Sequence, residues 1–191
     1  MSFLTGTSAE VLYKSIATGT QLNTFTTEAS LMGGLPHCII PANFFTDVPG
    51  RCLRVKAIGR LGTTGTPTFT FSLRLLTSTT WSAGGVVWSS AAITAGSGVT
   101  LAPWEIDFEI WCSIVGAGGG SNTTLRGLGF VRSGTGFAAG GGMYSMPAAN
   151  TAFTVTLDSS VTQYLYLSAA CGTSNASNLI QLEGLKVYGE N

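Results

Sequence analysis

Residues 104–114 read WEIDFEIWCSI, and their alternation decides the fold. Trp104, Ile106, Phe108, Ile110, Cys112 and Ile114 fall on one side of an extended chain, with Glu105, Asp107 and Glu109 on the other. Such a period of two marks a half-buried β-strand, whose apolar side needs a partner layer. Two earlier stretches repeat the pattern. In RCLRVKAIGRL, residues 51–61, Leu53, Val55, Ala57 and Leu61 oppose Arg54, Lys56 and Arg60. In TFTFSLRLL, residues 68–76, Phe69, Phe71, Leu73 and Leu75 oppose Thr68, Thr70, Ser72 and Arg74. The turn sequence GTTGTP lies between them, so the pair reads as a hairpin.

Weaker strands follow at 85–93 (GVVWSSAAI) and 125–131 (LRGLGFV), the second diluted by its glycines. Three more close the chain: AFTVTL at 152–157, QYLYLSAAC at 163–171 and NLIQLEGLKVY at 178–188. In the last, the inward set changes phase around Glu183-Gly184, which predicts a bulge. Residues 133–150, SGTGFAAGGGMYSMPAAN, are too long for a tight turn and too apolar for a linker, so they should pack against something. No segment holds a helical period. Eight strands counted from Arg51 predict two packed four-stranded sheets, a jelly-roll-like all-β sandwich, and an up-and-down barrel is the other architecture with that count. Residues 1–50 differ in kind, with short extended runs and then Pro36, Pro41 and Pro49. They read as an extended N-terminal arm and irregular lead-in, followed by a sandwich domain over 51–191.

Composition points to assembly. Only nine Lys/Arg and nine Asp/Glu stand among 191 residues, 9% charged against a usual ~25%, while 45% are hydrophobic. A chain so poor in charge presents apolar surface that copies of itself or a host structure should cover. Zero net charge argues against a nucleic-acid or anionic-membrane partner. The opening residues lack the basic start and apolar run of a secretion signal, so synthesis in a cytoplasm is expected. Cys38, Cys52, Cys112 and Cys171 are widely spaced, without a CxxC, and read as reduced, buried thiols.

No catalytic constellation emerges, and the chain is read as no enzyme, with no cofactor and no metal. His37 is the only histidine, and Cys38 beside it points to the opposite side of an extended segment. The row Glu105, Asp107, Glu109 is too flat and too widely spaced for a calcium loop. Gly134-Thr135-Gly136-Phe137-Ala138-Ala139 spells a GxGxxA but opens no helix to receive a pyrophosphate. The basic row Arg54, Lys56 and Arg60 and the acidic row are instead read as partners across an interface, within one chain or between copies. Trp111, Tyr164 and Tyr166 fall opposite the apolar sets and are candidate interface anchors, or platforms for a glycan.

The runs IIPANFFTDVPGRCLRVKAIGRLGTTGTPTFTFSLRL, SAAITAGSGVTLAPWEIDFEIWCSIVG and VTQYLYLSAACGTSNASNLIQLEGLKVY resemble a group of small virion structural proteins of tailed bacteriophages, described as head-decoration or minor structural proteins. The resemblance spans roughly residues 36–188 and rests on turns and packing positions. It implies a β-sandwich in a symmetric capsid or tail assembly, with no catalytic residue to carry over, and leaves the location on the virion open. The expectation adopted is a decoration protein on the capsid exterior, a homotrimer with the phage major capsid protein as partner. Phe3, Leu4, Val11, Leu12 and Tyr13 would then be the contacts of the arm. A tail or fibre location, with a glycan bound, is the alternative it leaves.

Overall fold

A computed structural model describes residues 9–45, 51–116, 122–138, 142–148 and 153–190. Its strands are β1 (Ala9–Ser15), β2 (Leu22–Asn23), β3 (Ala29–Ser30), β4 (Cys38–Ile40), β5 (Cys52–Gly62), β6 (Thr68–Leu76) and β7 (Val86–Ser89). There follow β8 (Ile93–Thr94), β9 (Ala102–Ile114), β10 (Thr123–Arg132), β11 (Met143–Met146), β12 (Thr154–Leu157), β13 (Gln163–Cys171) and β14 (Leu179–Glu190). They form two antiparallel sheets packed as a β-sandwich. The eight-stranded sheet runs β1-β14-β5-β9-β10-β11, with β12 also on β10 and β2 on β14. The six-stranded sheet runs β3-β13-β6-β7, with β4 on β13 and β8 on β6.

The period-two sets face each other across the interior. Leu53, Val55, Phe69, Phe71, Leu73, Ile106, Phe108, Ile110, Leu165 and Leu167 are all buried, and Val155 packs half-buried against them. Rings meet between the sheets: Phe71 against Trp104 at 5.2 Å and Trp88 against Phe108 at 5.7 Å between centroids. Ile114 departs from its set. The register between β9 and β10 shifts at Thr124/Leu125, and beyond that irregularity Ile114 points to solvent. The bulge expected near Glu183 lies between Leu182 and Gly184, and it lets Ile180 and Leu182 share the inward side with Leu185 and Val187.

Glycines in β10 make room for the core. A Cβ on Gly127 would lie 2.4 Å from Trp88 Nε1, and one on Gly129 would lie 2.6 Å from Phe108 Cα. What looked like dilution of a strand is the space taken by the Trp88 ring at Gly127 and by the close approach of the β9 backbone at Gly129. Residues 133–148 pack as anticipated, where described: Phe137 is buried and bridges Ala95, and β11 pairs with β10.

Two expectations are corrected. β5 and β6 are not a hairpin: β5 pairs with β14 and β9, whereas β6 pairs with β13, β7 and β8 in the opposite sheet. The connection crosses between sheets, held by the Thr63 amide on the Val99 carbonyl and by the Thr64 amide on Asn178 Oδ1, with Gly65 at φ 67°. Nor do residues 9–40 form an arm. β1 pairs along β14, β3 and β4 pair with β13, and the buried Tyr13 donates its hydroxyl to the Pro36 carbonyl at 3.0 Å. Leu12 packs half-buried against the core, Val11 lies exposed on β1, and Phe3 and Leu4 fall outside the described residues. The sandwich therefore includes these N-terminal strands and does not begin at residue 51.

Candidate functional site

The two outer faces of the sandwich differ, and the difference locates the candidate surface. On the six-stranded sheet the outward side chains Ser72, Arg74, Leu76, Tyr166 and Ser168 are all buried. The chain itself covers them. Arg74 is bridged by Glu28 through two 2.7 Å bonds, Nε to Oε1 and Nη2 to Oε2, while its Nη1 donates to the Gly84 carbonyl at 2.9 Å. Ser168 Oγ adds a third bond to the Glu28 carboxylate at 2.5 Å. Burial pushes the Glu28 carboxyl up, but the hydrogen bonds from Arg74, Ser168 and Ser72 and the guanidinium charge outweigh it and hold the group below its ordinary value.

Tyr166 sits under the same cover. It is 6% exposed, donates to the Thr79 carbonyl at 2.6 Å, and packs edge-on against Trp81. It does not present an aromatic ring to a partner, which corrects the expectation for this residue. Tyr164 is half-buried beside His37, whose ring lies 5.9 Å away. His37 touches two tyrosines and no carboxylate or cysteine among the described residues.

The outer face of the eight-stranded sheet has no such roof among the described residues, and most of the charge of the molecule lies there. Cross-strand register puts Arg54 opposite Glu109, Lys56 opposite Asp107 and Ile58 opposite Glu105. The basic and acidic rows therefore meet inside one chain. Arg54 grips Asp107 at 2.9 and 3.2 Å and approaches Glu109 at 3.8 Å, and Lys56 reaches Asp107 at 3.2 Å. Partial burial raises the Asp107 carboxyl, and the hydrogen bonds and charges of Arg54 and Lys56 more than reverse this, leaving it lowered. Arg60 does not join the acidic row but bridges Glu183, and Glu105 turns the other way to Arg132 at 2.5 Å. Each of these outward carboxylates has a cationic partner within the chain.

Apolar side chains break this charged ladder at separated points. Ile58, Leu128 and Met143 stand out from β5, β10 and β11, with Met143 64% exposed. A groove of about 500 Å³ runs beside Leu128, Phe130 and Met143, walled by Arg54, Asp107 and Glu109. Trp111 lies toward one end of the sheet, 54% exposed. The exposed residues Leu128 and Met143 escaped sequence reasoning because β10 and β11 are glycine-interrupted and short. Only the alternation Leu125, Gly127 against Arg126, Leu128 could have indicated that an apolar residue faced out.

All four cysteines are free thiols, three of them buried. Burial pushes Cys38 up to about 12, and burial with the nearby Glu190 and Glu109 carboxylates pushes Cys52 up to about 11. These are unreactive thiols near neutral pH. No group of three or more His, Cys, Asp or Glu is gathered for a metal among the described residues. No protein family, no curated protein and no solved structure matches this chain.

Proposed function

We propose that this chain is a structural virion protein, a decoration protein that assembles as a homotrimer on the outside of a phage capsid and holds neighbouring capsid subunits together. The observation that carries this reading is the asymmetry of the sandwich. One sheet face is covered by the molecule's own chain at Glu28, Thr79, Trp81 and Gly84, and the other is bare, with the charge rows of β5 and β9 paired to each other and Ile58, Leu128 and Met143 exposed. Pairing of the β5 and β9 rows within the chain leaves fewer charges for a partner to answer, so apolar contacts made on this face contribute to adhesion. Repetition of a weak contact around a symmetric particle multiplies its effect. The resemblance of the sequence to phage head-decoration and minor structural proteins supports the same assignment. Membership of the jelly-roll type belongs to the proposal as well, supported by the nested pairing of β5 with β14 and of β6 with β13.

The test is the copy number on purified virions by quantitative gel analysis, together with density of the particle at subunit resolution. The reading expects amounts comparable to the major capsid protein and density for this sandwich on the head exterior, eight-stranded sheet toward the shell. A handful of copies confined to the tail, or none on the particle, would refute it.

A further inference from the structure

We propose that the groove beside Trp111 is a binding site for an acidic saccharide, the sugar ring lying on the indole and its carboxylate on Arg126. The groove has a volume of about 300 Å³ and is lined by Trp111, Arg126, Leu128, Phe153 and Glu109. Trp111 packs on no other aromatic ring or guanidinium among the described residues, while its Nε1 donates to Glu109 Oε2 at 3.2 Å, which fixes the plane of the exposed ring. Arg126 is its register partner on the neighbouring strand, and both point outward from the sheet.

The arginines of the molecule make the case for an anion. Arg51 is bridged to Glu10 at 3.6 Å, Arg54 to Asp107 at 2.9 Å, Arg74 to Glu28 at 2.7 Å, Arg132 to Glu105 at 2.5 Å, and Arg60 to Glu183. Arg126 alone has no carboxylate among the described residues, and it is the arginine beside an exposed indole. Glu109, the acid in the groove, is already approached by Arg54 at 3.8 Å and by the indole N–H. The charge that remains to be answered there is positive.

A purely aliphatic occupant would cover Arg126 without a partner, which is costly. A uronic or sialic acid residue meets each wall: its C–H face suits the flat indole and Leu128, its hydroxyls can donate to Glu109, and its carboxylate forms charge-assisted bonds with the guanidinium. The groove shares Leu128 with the face turned toward the shell in the assembly proposed above, so saccharide and capsid would compete for it and the inference concerns the isolated chain.

The test is titration of the isotopically labelled protein with tetragalacturonate, tetramannuronate and sialyllactose, following the indole N–H resonance of Trp111, assigned through Trp111→Phe, with calorimetry for affinity. At least one of the three should shift that resonance selectively and saturably. Arg126→Gln should weaken the binding about 10- to 100-fold, the worth of a hydrogen bond to a charged group. The methyl-esterified sugar should bind the wild type as weakly as the acid binds Arg126→Gln, and Trp111→Ala should abolish binding while the unfolding midpoint stays that of the wild type. The proposal is overturned if none of the three sugars moves the resonance, or if Arg126→Gln binds as well as the wild type. It is equally overturned if the resonance changes with protein concentration alone, since a second copy would then occupy the groove.

Discussion

Replacing Glu28 with Gln removes one charge from a network that fastens the N-terminal part of the chain to the six-stranded sheet. The carboxylate accepts from Nε and Nη2 of Arg74 and from Ser168, and the guanidinium and carboxylate are 10% and 19% exposed. Breaking a fully buried pair costs about 3–5 kcal/mol, because the remaining charge stays desolvated without its counter-ion. Water reaches part of this pair and the amide still accepts one bond, so we expect about 2–3 kcal/mol. Urea unfolding at pH 7, followed by tryptophan fluorescence, measures it. The pH dependence gives an independent check. The folded-state carboxyl is lowered, so its stabilisation is fully present above the unfolded value of about 4.3 and disappears as the pH falls through the folded value. The gap between wild type and Glu28→Gln should therefore close on acidification. The double variant Glu28→Leu with Arg74→Met should recover much of the loss, since no unpaired charge remains. A Glu28→Gln protein within about 0.5 kcal/mol of wild type at pH 7, or a gap that persists in acid, would refute the reasoning.

Deleting residues 1–30 removes β1, β2, β3 and Glu28, and should abolish the cooperative unfolding transition; a truncated protein with native near-ultraviolet dichroism would contradict the pairing of β1 with β14. Gly127→Ala places a methyl 2.4 Å from Trp88 Nε1 and should cost about 1–3 kcal/mol in chemical denaturation, whereas Gly134→Ala, with nothing within 4 Å, should be near neutral. Arg54→Glu confronts Asp107 and Glu109 with a like charge and should cost about 1–2 kcal/mol of fold stability, partly restored by Asp107→Arg. Because that ladder closes within one chain, sedimentation should give Arg54→Glu the same oligomer mass as wild type.

Sequence alternation identified which side of each long strand is buried, but not which strand lies beside it. Leu53 and Val55 on β5 and Phe69 and Phe71 on β6 need a common core, and that need is met equally by pairing edge to edge or by facing one another between sheets. The link after Gly62 is short enough for either, and its crossing depends on Thr63 and Thr64 finding Val99 and Asn178, contacts distant in sequence. The N-terminal strands were hidden for another reason. β2, β3 and β4 are two or three residues long, below any detectable period, and the register shift between Val11 and Tyr13 breaks the alternation of β1. At the surface, the paired rows of β5 and β9 were legible from charge sign alone. The burial of Tyr166 was not, because an outward position says nothing about a loop that returns over it.

The pairing of β14 with β1, β2 and β5 has a consequence for how the molecule comes to be folded. The Gln181 side chain bonds the Gly19 carbonyl 162 positions earlier, and β1 has β14 as its strand neighbour. During synthesis β1 must wait, backbone groups unpaired, until β14 has been made. Closure of such long chain loops places the folding time in the slow, millisecond-to-second class of β-sandwiches. In that interval β5 also lacks one neighbour and offers a bare edge, so crowded nascent chains would join edge to edge before the native sheet can close. A cell making this protein in quantity therefore does so most safely in the cool, or with a chaperone that shields strand edges.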